Sequence, residues 1–186
     1  VIEIGYESFG ECTSLEKFVI PDSVTSIESY AFCGCKNLTD VTLSASLTSL
    51  GSRAFGDCTS LASIVIPKTV KSAGESGPFS GCSALTNVTL EEGMPVVAGN
   101  LFYNCPELTS ITIPGTVTSI GSWSFAKCTA LKNIEIPDSV TEINYSAFSG
   151  CTSLAKIVIP ASVTSIGGNA FYGCTRLEKI AIPDSV

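Results

Sequence analysis

Nine cysteines are the most obvious reactive side chains of this 186-residue chain, and eight of them, Cys12, Cys35, Cys58, Cys82, Cys105, Cys128, Cys151 and Cys174, fall at one regular spacing. Such a column could be a ladder of disulfides or metal ligands, or a row of reduced thiols packed as small apolar groups. If the spacing reflects stacked coils, equivalent Cβ atoms stand about 4.8 Å apart on parallel vectors, whereas a disulfide needs Cβ atoms converging to about 3.8 Å. The packed, reduced row is therefore expected. Cys33 lies outside the column. It has no basic neighbour within two residues to favour its thiolate, and an incidental surface thiol is the expectation there.

Other chemistry finds little support. Histidine is absent, which removes the usual general base and the commonest transition-metal ligand together. Serine and threonine are abundant, but no Gly-x-Ser-x-Gly elbow activates one of them. Glu91-Glu92 and Asp40 do not form a cation loop. Neither a cofactor nor a metal is expected, and the chain reads as non-enzymatic. Asn37-Leu38-Thr39, Asn87-Val88-Thr89 and Asn144-Tyr145-Ser146 match the glycosylation acceptor pattern, a weak signal in a chain so rich in hydroxyls. Ten Lys and Arg against seventeen Asp and Glu give a net charge of -7, which disfavours nucleic acid and anionic membranes as partners. Apolar residues come in short bursts, far from the run of about 18 residues needed to span a bilayer.

The elements that position these residues follow from a second column. Phe9, Phe32, Phe55, Phe79, Phe102, Phe125, Phe148 and Phe171 recur every 23 residues, with one step of 24, and Cys follows each at three residues. Around them the frame Leu-x-x-Ile-x-Ile-Pro-x-x-Val-x-x-Ile repeats, as from Leu131 to Ile143. Its alternating apolar residues predict a short strand, and Pro21, Pro67, Pro114, Pro137, Pro160 and Pro183 end that strand because proline has no N–H for a ladder. The Val-x-x-Ile pair that follows predicts a second short strand or extended segment. The Ala-Phe-x-x-Cys stretch suits one tight helical or 3₁₀ turn that drives the ring inward. Stacking eight such coils side by side would create a continuous parallel sheet on the concave side.

Two surfaces could bind a partner. Residues alternating outward on the strands form two stripes. One runs through Val19, Thr42, Val65, Thr89, Thr112, Glu135 and Val158, the other through Lys17, Asp40, Ser63, Asn87, Ser110, Asn133 and Lys156. The opposing interpretation is a face set only by strand propensity. The rival surface is aromatic: Tyr30, Tyr103, Trp123 and Tyr145 lie beside the Phe turn, where they could recognise a partner or seal gaps between coils.

The frame from Leu61 to Ala73 closing on Phe79-Ser-Gly-Cys82, and the cleaner run from Val163 to Cys174, resemble the BspA-like, or Treponema pallidum-type, leucine-rich repeats. The resemblance covers residues 1–186 and implies one α/β, strand-dominated leucine-rich repeat solenoid of eight coils. The chain opens and stops within a repeat, so an uncapped internal piece of a longer array is expected. The resemblance further implies a cell-surface or secreted adhesin that binds extracellular-matrix, host-cell or microbial surface proteins through the concave sheet. The alternative is a structural spacer, or an intracellular scaffold for protein interactions. The sequence departs from the frame at Gly74–Pro78, where one residue is inserted, and at Glu91, where the proline is missing.

Overall fold

A computed structural model describes residues 1–186 and shows a strand-dominated parallel β-solenoid of about seven turns. In chain order its strands are β1 (Glu3–Ile4), β2 (Lys17–Val19), β3 (Ser26–Ile27), β4 (Asp40–Thr42), β5 (Ser49–Leu50), β6 (Ser63–Ile66), β7 (Ser72–Ala73), β8 (Asn87–Leu90), β9 (Val96–Val97), β10 (Ser119–Ile120), β11 (Glu142–Ile143) and β12 (Ser165–Ile166). The repeat count predicts eight coils, where about seven turns are formed; the eight phenylalanines stack in one unbroken series of seven successive contacts.

The interior is one cluster of 50 buried residues running from Ile4 to Ala170. Leu, Ile and Val of both apolar pairs face it. The six phenylalanines from Phe32 to Phe148 are fully buried, and all eight rings stack face to face at centroid spacings of 5.0 to 6.4 Å. Burying a side chain of this size contributes about 1.5 to 3 kcal/mol. Because both faces of each ring from Phe32 to Phe148 are covered by rings of adjacent coils, such a coil completes its interior only by stacking.

The sheet of the first strands is less continuous than the repeat frame predicts. Lys17–Val19 pairs with Asp40–Thr42, and Ser63–Ile66 with Asn87–Leu90, but the later coils make only isolated bridges, such as Thr112 to Glu135 and Lys156 to Lys179. Proline explains the thinning. Glu91 donates its backbone N–H to Ile66 at 3.1 Å, whereas Pro114, Pro137, Pro160 and Pro183 occupy the equivalent position with no N–H to offer. The second apolar pair is the more regular ladder, forming two four-stranded sheets, β1-β3-β5-β7 and β9-β10-β11-β12. These sheets are separated where Pro95 replaces the residue whose N–H reaches the previous coil elsewhere, as Lys71 does to Thr48 at 2.9 Å.

The Phe turn is not a helix of either kind. Within it, alternate N–H groups close local turns, as Gly10 does to Glu7 at 3.0 Å. The others leave the coil entirely: Tyr30, Phe32 and Gly34 donate forward to Ser52, Ala54 and Gly56 at 2.7 to 2.9 Å. A helix would send all of these donors back along its own chain. The rotated peptides require left-handed backbone two residues before and two after the Phe, as at Arg53 (φ 51°) and Asp57 (φ 53°). Glycine, asparagine and aspartate recur at these positions because they tolerate positive φ, as at Gly34, Asn104 and Gly150.

At the single insertion this turn ladder opens. Arg53 still reaches Gly77, but the bonds from the following turn reduce to Gly81 donating to Asn104 at 3.1 Å. The Phe79 and Phe102 rings stand 6.4 Å apart and tilt by 18°, against 5.0 Å and 2° for Phe32 and Phe55. Across the same boundary the four-residue β6–β8 ladder is intact. The coils are thus pinned on the strand side and parted on the Phe side.

Candidate functional site

All fourteen outward strand positions named from the sequence are exposed, in two in-register rows with no other element covering them. The inward neighbours Val41, Ile64, Val88, Ile111, Ile134 and Ile157 are buried, so strand alternation fixes which side chains face solvent. Val19 and Val158 are 70% and 65% exposed, an unusual place for a branched apolar group with no partner.

Two depressions of about 620 and 480 Å³ share Asn133 to Ile136 and merge into a trough over three successive coils. Its rim carries Ser110, Thr112, Asn133, Glu135, Lys156 and Val158. A third lies over Asp40, Val65, Asn87 and Thr89. These are wide and shallow, shaped for an extended surface and not for enclosing a small molecule.

Charge is sparse and uneven on this face. Lys17 approaches Asp40 at 3.7 Å, an exposed pair on adjacent strands. Lys156 and Lys179 are likewise bridged partners on adjacent coils, but both are cationic and neither makes an ion pair.

The aromatic residues are brought together only in part. Tyr103, Trp123 and Tyr145 form an edge-to-face row, with centroids 6.3 and 5.6 Å apart. Lys127 covers the Tyr103 ring at 5.0 Å, and Asn169 donates to the Tyr145 hydroxyl at 3.0 Å. Tyr30 lies apart, against Tyr6. These rings spend their faces and edges on one another, as side chains sealing successive coils do. Trp123 and Tyr30 also hold left-handed backbone (φ 59° and 60°), a turn role that their residue type conceals.

All nine cysteines are free. From Cys35 onward each thiol of the column donates to the carbonyl of the Phe one coil back, as Cys151 does to Phe125 at 3.1 Å and Cys128 to Phe102 at 3.2 Å. The Phe125 carbonyl also accepts the Cys128 backbone N–H, so one oxygen ties two coils. Burial pushes Cys35 up to about 11 and Cys128 up to about 12, and raises Cys105 and Cys151 as well. Such thiols are poor nucleophiles. At Cys33 sequence proximity misleads: Arg53 of the next coil, ion-paired with Asp57, acts on its thiol as a nearby positive charge. Burial still outweighs the arginine and holds the Cys33 thiol above its ordinary value.

The BspA type leucine-rich repeat region, in six copies, matches residues 2–105 and 95–186. Among solved structures, a leucine-rich repeat protein of T. pallidum is 28% identical with a TM-score of 0.62, over 96% of this chain and 72% of that one. One from Eubacterium ventriosum is 29% identical with a TM-score of 0.74, over 91% of this chain and 45% of that one. No curated protein matches the chain.

Proposed function

The chain belongs to the BspA-type leucine-rich repeat family along its whole length, and on that premise we propose that it is a non-enzymatic protein-binding module of a cell-surface or secreted adhesin. Its partner is a matrix, host-cell or microbial surface protein, taken on the outward strand face from Lys17 to Val158. The observation that carries this reading is the bare face itself: two registered rows of exposed Thr, Val and small polar residues, left uncovered while the aromatic row opposite is occupied by its own contacts. Two features support that face being the concave one. The Phe rings are spaced at 5.0 to 6.4 Å against about 4.8 Å for parallel strands. The boundary at the insertion is pinned on the strand side and open opposite.

Arginine placed at Thr89 or Thr112 puts bulk and charge in the middle of the Thr/Val row, beside the other row, without touching the core. In solid-phase binding to a panel of immobilised extracellular-matrix and host-cell surface proteins, each variant is expected to lose binding while its melting curve stays unchanged. Retention of full affinity by both would remove the face from the interaction. An array that retains no member of the panel even as the unaltered protein would favour the structural spacer instead.

A further inference from the structure

The proposed strand face has one electrostatic irregularity, and it lies at a single end. In the row through Lys17, Asp40, Ser63, Asn87, Ser110, Asn133, Lys156 and Lys179, the first two residues offset one another and the next four are neutral. Lys156 and Lys179 then stand side by side on adjacent coils. Like charges directly opposite in a sheet are unfavourable. Glu135 in the neighbouring row and Glu178 beside Lys179 are the adjacent acids, and neither forms an ion pair with these lysines. Lys156 also borders the trough that holds Asn133, Glu135 and Val158. On a chain of net charge -7, this is a cationic pair without a counter-charge beside a neutral stretch of four coils.

Resting on the protein-binding reading above, we infer that the partner contributes an extended segment that lies along the trough and ends in acidic side chains over Lys156 and Lys179. The neutral positions Ser110, Thr112 and Asn133 accept backbone and small side chains, Val158 receives an apolar contact, and the two ammonium groups fix the direction and register of the segment by pairing with its carboxylates. Exposed charges of this kind govern encounter rate and orientation more than total affinity.

The test uses the whole chain and three short Thr/Ser/Val peptides that end in a run of aspartate, asparagine or lysine. Binding is followed by backbone amide shifts and by titration at low and physiological salt. The aspartate peptide is expected to bind about twofold to thirtyfold more tightly than the asparagine peptide at low salt, the range two exposed ion pairs supply. It should shift the amides of Asn133–Ile136 and of Lys156–Val158. The K156A/K179A variant should abolish that preference, while Lys36→Ala, on the Phe-turn side, should leave it intact. If the three peptides bind alike at the trough, the acidic assignment fails and the strand face survives. If none shifts a strand-face amide, both fail. Tighter binding of a sulfated polysaccharide than of the aspartate peptide at the same lysines would overturn the choice of a protein segment.

Discussion

Replacing Phe125 with alanine tests the physical basis of the stack. Phe125 is fully buried, with Phe102 on one face at 5.5 Å and Phe148 on the other at 5.4 Å, so the truncation leaves a void that two coils must share. A buried Phe→Ala change costs about 3 to 5 kcal/mol, and each lost aromatic contact accounts for about 0.5 to 1.5 kcal/mol of interaction beyond area burial. Phe171 provides the internal control. It is half-buried and stacks on one neighbour only, Phe148 at 5.5 Å, so its truncation should cost about half as much. In urea titrations followed by circular dichroism, Phe125→Ala should lower the midpoint about twice as far as Phe171→Ala. In thermal scans, at about 2 to 4 °C per kcal/mol for a chain of this size, the central variant should lose on the order of 10 °C. Equal losses would show that the rings stabilise their own turns rather than the contacts between coils.

Four further outcomes follow from the turn and its thiols. Ser146 is buried, holds φ 53° and has an unpaired hydroxyl, so Ser146→Gly should stabilise the array by about 1 kcal/mol in urea unfolding. Gly77→Ala should cost about 2 kcal/mol or more, because φ is +69° and a Cβ would lie 2.6 Å from the Tyr103 carbonyl oxygen. For the thiols, a folded pKa of about 12 at Cys128 against 9.0 unfolded means that the unfolded chain loses its proton first as pH rises. Stability should therefore be intact below pH 9 and fall between pH 9 and 12, at up to about 1.4 kcal/mol per pH unit for each such thiol. Cys128→Ser should flatten that fall. With iodoacetamide at pH 8, exposed Cys12 should react in the native protein, whereas Cys58, Cys105, Cys128 and Cys151 should react only after unfolding.

The interior was legible because it is written locally: the 23-residue recurrence of Phe, the alternation of Ile and Val, and the proline closing each strand all lie within one repeat. The Phe turn looks helical in sequence because the partners of its donors lie 22 residues away, at Ser52 for Tyr30 and Ala54 for Phe32. A signal for it was present in the recurring Gly34, Gly81, Asn104, Gly150 and Gly173. It was masked by Tyr30, Arg53, Trp123 and Lys127, which hold the same left-handed backbone without being the residue types that favour it. The outward rows could be named exactly as they lie, since period-two alternation fixes facing. The pairing between rows could not, because it depends on which coils supply an N–H at the proline position. The position of Arg53 beside Cys33 likewise depends on stacking and not on sequence proximity.

The forward bonds of the Phe turn all run one way. From Glu7 to Gly150, every inter-coil N–H in that column points toward the following coil and every accepting carbonyl points back. Peptide dipoles aligned in this manner add along that column, while the bonds beside the second strands, such as Gly51 to Ile27 and Lys71 to Thr48, point toward the preceding coil, so the two sides of the solenoid carry opposed dipoles. A coil presented upside down would set donor against donor. Any addition to this column must therefore keep the same heading, and two such arrays cannot continue it by meeting at like poles.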